Sequence, residues 1–205
     1  MAVKKIHRIP NHKPPILHEH AATMSFEQCS KLFKIYQEVI GIRNITHFSL
    51  NVVDPFGKMA ILSYRPQIAY NIFKDGSYLH NGSISSTFYD NKYLYTWDET
   101  YSQSHYKLLK NNMENKNGIN KGVVIVKKVN NLTLLYSFAT RADGNDFYAD
   151  INESTNQFYE IGDHCFTRIS PLLEIYSIHP EYEENGLVLP PNVISINRRK
   201  FKKNV

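Results

Sequence analysis

The stretch Gly122-Val123-Val124-Ile125-Val126, continued through Val129-Asn130-Asn131 and returned by Leu132-Thr133-Leu134-Leu135-Tyr136-Ser137-Phe138, decides the fold. Two runs dense in β-branched, aliphatic and aromatic residues flank a pair of asparagines. Asparagine tolerates positive φ, so Asn130-Asn131 predicts a tight turn and an antiparallel hairpin. A second pair of strands lies upstream. There Ile45, His47, Ser49 and Asn51 alternate with Thr46, Phe48, Leu50 and Val52, and Asp54-Pro55-Phe56-Gly57 supplies turn chemistry before Met59-Ala60-Ile61-Leu62-Ser63-Tyr64.

Helical patterns surround these strands. Phe26, Cys29, Leu32, Phe33, Tyr36, Val39 and Ile40 form one apolar stripe, with Ser25 and Gln28 as a capping box at its start and Gly41 at its end. Pro66 can open a short helix through Ile68, Ala69, Ile72 and Phe73, stopped at Gly76. Residues 99–112 read as a helix carrying Tyr106, Leu108 and Leu109. The last long helix, over residues 156–178, sets Phe158, Ile161, Cys165, Ile169, Leu172 and Tyr176 on one face, and Pro171 inside it predicts a kink or a shift in its hydrogen bonding. Helices before and after antiparallel strands can cover both faces of their sheet. The order therefore predicts an α/β/α sandwich around a central antiparallel sheet.

Charge narrows the function. The chain has 205 residues and a formal net charge of +5, but the ends hold that excess. Lys4, Lys5, Arg8 and Lys13 stand against Glu19 at the start, and Arg198, Arg199, Lys200, Lys202 and Lys203 close the chain. The remaining body, residues 21–197, has 15 basic and 18 acidic side chains, so a nucleic-acid surface across the fold is disfavoured. No apolar run reaches the ~18–20 residues of a membrane span, and the proline-bearing N-terminus has no apolar core of a secretory signal. Residues 1–23 read as a flexible basic arm, 24–179 as the folded domain, and 180–205 as an extended basic tail. Cys29 and Cys165 each fall in an apolar pattern and read as reduced core thiols.

Catalytic and metal motifs are missing from the pattern: no nucleophile elbow, no glycine-rich phosphate loop, no paired-histidine zinc helix. No catalytic residue, metal ligand or cofactor is assigned. Glu160, Asp163 and His164 read as a solvated helix face with a local ion pair. An enzyme reading needs His80 or His105 to meet an acidic partner and a hydroxyl. The aromatic load is more informative, with 14 Tyr, 11 Phe and one Trp, many of them between residues 64 and 106. Rings with polar tips suit the wall of a small-molecule pocket. They suit a helix–sheet interface short of leucines slightly better.

From about residue 33 to residue 178 the chain resembles the autoinducer-binding domain of LuxR-type quorum-sensing regulators. The likeness rests on the leading helix ending in Gly41-Ile42, the paired strands, Tyr64-Arg65-Pro66 opening a helix, Tyr78-Leu79-His80-Asn81-Gly82-Ser83-Ile84, and then Trp97. It continues in Gly118-Ile119-Asn120-Lys121-Gly122-Val123-Val124-Ile125 and Leu135-Tyr136-Ser137-Phe138. The resemblance implies a pocket between the sheet and one helix layer that holds an acyl-homoserine lactone. An aspartate that receives the ligand's amide N–H in that family falls at Asn81 or Gly82, the downstream aromatic at Trp97, and the serine of the last strand at Ser137. Asn81 offers only a neutral carbonyl, without the added strength of a charge-assisted bond. The family's helix aromatics fall near Ile68, Ala69, Tyr70 and Phe73, where the family's tryptophan is absent.

The ligand-binding candidates are therefore Tyr64, Tyr70, Phe73, Tyr78, Asn81, Trp97 and Ser137. What is expected is a non-enzymatic sensor of a small amphipathic ligand, with a protein partner or homodimer as further possibilities. The alternative is an interaction or effector protein that keeps the fold without the pocket. LuxR-type regulators continue into a helix-turn-helix domain, and residues 179–205 contain no paired helical pattern, so no sequence-specific DNA binding is expected of this chain alone. The resemblance implies a bacterial, cytoplasmic protein, or one exported without a classical signal.

Overall fold

The structure, a computed structural model, describes residues 13–74, 76–142 and 146–176. Its centre is the predicted hairpin: β5 (Lys121–Val129) and β6 (Leu132–Thr140) pair from Lys121↔Thr140 to Val129↔Leu132. Asn130 takes the left-handed φ of 55° that the turn requires. The second pair is β2 (His47–Val53) and β3 (Lys58–Ser63). At its turn, Asp54 Oδ1 accepts from the backbone N–H groups of Phe56 and Lys58 at 2.9 and 2.8 Å. Antiparallel pairing of β2 with β6 joins the two hairpins. The six-stranded sheet runs β1-β3-β2-β6-β5-β4, with β1 (Ile16–Leu17) and β4 (Leu94–Thr96) at its edges.

The structure corrects the reading of the N-terminal arm. Ile16 and Leu17 pair in parallel with Lys58 and Met59, and α1 (Ala21–Glu27) follows directly. Ser25 is therefore no cap: it lies inside α1, and its buried hydroxyl donates to the Ile61 carbonyl. The helix proper, α2, runs Cys29–Gln37. Residues 1–12 of the predicted arm and the whole tail, 180–205, lie outside the described residues.

Short helices occupy the aromatic segment: α3 (Pro66–Lys74), α4 (Ser86–Tyr89) and α5 (Trp97–Thr100), with 3-10 turns at Ser77–His80 and Gly82–Ile84. The predicted helix over 99–112 is instead α5 followed by α6 (Tyr106–Asn117), while the predicted last helix stands as α8 (Thr155–Ile175), preceded by a further helix, α7 (Asp146–Glu153). Pro171 does not end α8. Proline cannot donate to the carbonyl four residues back, and here the Ser170 hydroxyl donates to that Thr167 carbonyl at 3.2 Å.

Period-two alternation distributes the core. Phe48, Leu50, Val52, Leu134, Tyr136 and Phe138 face α2, α7 and α8, meeting Leu32, Tyr36, Phe147, Phe158, Cys165 and Ile169. On the other face Ile61, Val124, Val126 and Leu135 meet Ile68, Phe88, Tyr95, Trp97 and Leu109. The fold is an α/β/α sandwich. Among the described residues no helix is long and apolar enough to cross a membrane.

Polar clips hold α8 to the sheet and to α2. Tyr136 donates its hydroxyl to Asp163 Oδ1 at 2.7 Å, and Lys127 pairs with Asp163 Oδ2 at 2.6 Å. Glu38 bonds His164 at 2.7 Å and Arg168 at 3.0 Å. The carboxylate and the histidine predicted to form a local pair thus each bind across elements. Cys165 is buried beneath, and burial with the nearby Glu38 charge pushes its thiol up to about 12.

The Tyr136 ring lies flat on Gly162 of α8, where an added Cβ would stand 2.2 Å from a ring carbon. Gly162→Ala should destabilise the protein by about 1–3 kcal/mol through overpacking, although alanine is the better helix former by about 1 kcal/mol. Urea denaturation checks this, and an unchanged or raised midpoint would contradict the close packing.

Candidate functional site

The alternation that sends Phe48, Leu50 and Val52 into one core sends His47, Ser49 and Asn51 into the other side of the sheet. Helices cover that side too, so these polar residues are not on a solvated face. His47 and Asn51 are each 5% exposed. Strand register places Ser49 opposite Ser63 on β3 and opposite Ser137 on β6. Three hydroxyl-bearing residues therefore form a row across three strands.

Above this row lies a cavity of about 70 Å³. Its floor is His47, Ser49 and Asn51, flanked by Ile61, Ser63 and Ser137. Ile68 of α3, Met113 of α6, Ile119 and Trp97 wall it, and Asn81, Ser83 and Ile84 complete the rim. None of the lining residues is Asp, Glu, Lys or Arg. Two polar atoms of the floor, His47 Nδ1 and Asn51 Oδ1, are buried and have no hydrogen-bond partner among the described residues. Buried polar groups are ordinarily satisfied, and these two exceptions fall on one strand of one cavity.

Trp97 is fixed at the cavity by two contacts. Its indole N–H donates to Ser137 Oγ at 3.2 Å, and its ring rests on Gly122, where a Cβ would come within 2.1 Å. Glycine at 122 is what lets the indole reach the sheet. Thr96 caps the short helix α5 by accepting from the Glu99 N–H at 3.3 Å, and the Thr100 hydroxyl donates back to the Trp97 carbonyl at 2.7 Å. The backbone around Trp97 is thereby closed on itself.

Asn81 also reaches the cavity, but its carbonyl is engaged. Oδ1 accepts from the Ser83 backbone N–H at 3.1 Å and from the Ser83 hydroxyl at 2.7 Å, capping the Gly82–Ile84 turn. Both lone pairs of that oxygen are used. Asn81 therefore acts locally, where the resemblance implied an acceptor for a ligand amide.

Of the seven candidates, the structure brings Asn81, Trp97 and Ser137 together at the cavity. Tyr64 does not line it; the ring packs against Tyr36 and Phe33 on the α2 side, 5.6 Å from the His47 ring. Tyr70 is turned outward at 48% exposure, edge-on to Phe26. Tyr78 is partly buried against the second core and is not among the lining residues. Phe73 belongs to α3, and its side chain lies outside the described ones. Phe88, Tyr89, Tyr95 and Tyr101 fill the helix–sheet interface as packing. His47, Ser49, Asn51 and Ser63 went unassigned in the sequence. Their signal was the alternation itself, taken together with the expectation that helices cover both faces of the sheet.

The histidines of the enzyme reading stack on each other, His80 on His105 with centroids 3.4 Å apart. The hydroxyls of Ser102 and Ser104 lie at 3.3 and 2.9 Å from His105 Nδ1. Among the described residues no carboxylate hydrogen-bonds either imidazole.

Burial, with the positive charges of Arg65 and Arg141 adding to it, pushes His47 down to about 3, so the imidazole is neutral at pH 7. The unfolded chain protonates His47 as pH falls through about 6.5, the folded chain only near 3. Between those values the unfolded state binds more protons, and stability falls on acidification. His47 can contribute up to about 1.4 kcal/mol per pH unit to that slope. His47→Gln should flatten the decline between about pH 6 and pH 4, measured by urea denaturation at each pH. An unchanged slope would show that His47 does not titrate this way.

No protein-family model matches the sequence, and no curated protein matches it. Solved structures do match. Escherichia coli SdiA superposes with a TM-score of 0.51 at 13% identity, over 81% of this chain and 72% of SdiA. SdiA in complex with octanoyl-rac-glycerol gives a TM-score of 0.46 at 14% identity, over 76% of this chain and 61% of that one. CepR2 from Burkholderia cenocepacia, an N-acylhomoserine-lactone-dependent LuxR-family factor, gives 0.48 at 11% identity, over 74% of this chain and 99% of that one. The chain has the fold of the autoinducer-binding domain of LuxR-type regulators.

Proposed function

We propose that the protein is a non-enzymatic small-molecule sensor whose ligand enters the cavity between the sheet and the layer of α3, α5 and α6. The observation that carries this reading is the pair of unpartnered polar atoms, His47 Nδ1 and Asn51 Oδ1, on the floor of one cavity. An orphaned buried carbonyl costs on the order of 1–3 kcal/mol, and a ligand that satisfies it recovers that cost on binding. The position of the cavity agrees with the fold's resemblance to sensor domains. Asn81, already engaged by Ser83, makes an acyl-homoserine lactone bound through that position a poor fit.

A second reading, that the chain keeps the fold and acts through a surface, is favoured by the cavity's size. About 70 Å³ lies well below the roughly 300–1,000 Å³ of ordinary ligand pockets.

Trp97 is the one tryptophan of the chain and lines the cavity, so its fluorescence reports occupancy. A panel of acyl-homoserine lactones, monoacylglycerols and simple alkanols and diols should contain at least one compound that shifts Trp97 emission and raises the melting temperature. At a concentration of about 100 Kd the stabilisation is about 2.7 kcal/mol. Silence of both readouts across the panel would reject the sensor reading in favour of the surface one.

A further inference from the structure

Among the described residues the closest pair of rings is His80 on His105, parallel to within 3° with centroids 3.4 Å apart. The two belong to different elements. His80 ends the 3-10 turn Ser77–His80, and His105 stands immediately before α6. Around them turn and helix are joined by long bonds. The Ser102 N–H donates to the His80 carbonyl at 3.3 Å, and Asn112 Nδ2 to the Ser77 hydroxyl at 3.3 Å. Both exceed the ~2.7–3.2 Å of a well-made N–H···O bond. One isolated bridge, Asn81 with Tyr101, adds to them. Much of the join therefore falls to the stacked rings.

Both imidazoles are half-buried. The pair can carry one proton, because a cation over the face of a neutral ring is attracted to it. It cannot comfortably carry two, because like charges in contact each disfavour the other's charged form. Relief from outside would need an anion. The titratable groups on the elements packed against the turn are Tyr70 and Lys74 of α3, Tyr78 of the turn itself, and Tyr106, Lys107, Lys110, Glu114 and Lys116 of α6. Lys110 is taken by Asp98, Glu114 and the Tyr106 hydroxyl, and Lys74 lies over the Tyr70 ring. Among the described residues the one charge that acts on His80 is that of His105. Burial, and after it that charge, hold His80 below the ordinary histidine value. Freed from the stack, the ring takes its proton more readily. Falling pH therefore favours the freed state: the stack is whole at neutral pH and is lost as the medium acidifies below about 6.5.

We propose that His80 and His105 form an acid-sensitive latch. At neutral pH their stack holds the Ser77–His80 turn on the start of α6, and protonation of both rings drives the two apart. Asn81 follows His80 directly and Met113 lies on α6, and both line the cavity, so release opens its wall. The latch operates whether or not the cavity takes a ligand, and it stands apart from the sensor reading.

Amide hydrogen exchange of the intact protein, taken at about pH 7 and about pH 4.5 and expressed as protection factors, tests the latch. The N–H groups of Asn81, Ser102 and Leu109 bond the carbonyls of Tyr78, His80 and His105. They should lose about tenfold or more of their protection at the lower pH, beyond any loss at the amides of β5 and β6. Those strands report global opening, so comparison with them removes the acid response of His47. His105→Phe keeps a flat ring on His80 without the charge. In that variant the three amides should lose no more protection than β5 and β6 do, and the His80 imidazole resonance should titrate at higher pH. The reciprocal variant, His80→Phe, should abolish the excess loss as well. Protection that falls only in step with β5 and β6, an undiminished excess loss in either variant, or a His80 titration that does not move in His105→Phe would each overturn the proposal.

Discussion

Everything in this molecule depends on β2 being covered on both sides. It lies between β3 and β6, inside a six-stranded sheet with helices on each face. A strand in that position normally carries apolar residues at every place. β2 does not: it alternates Phe48, Leu50 and Val52 with His47, Ser49 and Asn51. One face makes the main core. The other brings a polar strip into a space from which water is largely excluded, and there the strip must find partners or go without. Ser63 and Ser137 meet it from either side, and Trp97 spends its N–H on Ser137. His47 Nδ1 and Asn51 Oδ1 are left over. A sheet with one solvated face would have made the same sequence unremarkable.

That is also why the fold was more legible than the site. The hairpins could be read because their determinants are local: Asn130 supplies a left-handed turn, and Asp54 folds its side chain onto the N–H groups of Phe56 and Lys58. The long stripe ending in α8 was legible for the same reason, as was the helix opened by Pro66. The arm was misread because Ile16 and Leu17 owe their strand geometry to Lys58 and Met59, some forty residues away, and prolines on either side of a two-residue pairing leave no period to see. Ser25 looked like a cap until its hydroxyl was found on the Ile61 carbonyl. At the site, Trp97 and Ser137 could be placed by resemblance. His47 and Asn51 could not, because alternation marks a strand and does not single out which of its polar residues lack a partner.

Asn81 shows how a likeness of position can differ in chemistry. The residue stands at the rim, as the resemblance implied, and it is 5% exposed. Yet it closes a 3-10 turn with Ser83, and the next element repeats the device, with Ser85 accepting from the Thr87 N–H to start α4. Tyr95 adds a hydroxyl bond to the Ser83 carbonyl at 2.9 Å. The segment spends its polar groups on holding itself against the sheet. The polar atoms left without a partner, His47 Nδ1 and Asn51 Oδ1, lie instead on the floor.

The two ends of the sheet carry a different consequence. Its terminal strands are β1 with two residues and β4 with three. Strands this short expose almost no unpaired backbone, and exposed backbone is what templates sheet extension from one molecule to the next. The domain therefore resists edge-to-edge growth, the usual hazard of a protein built on long antiparallel ribbons such as β5 and β6.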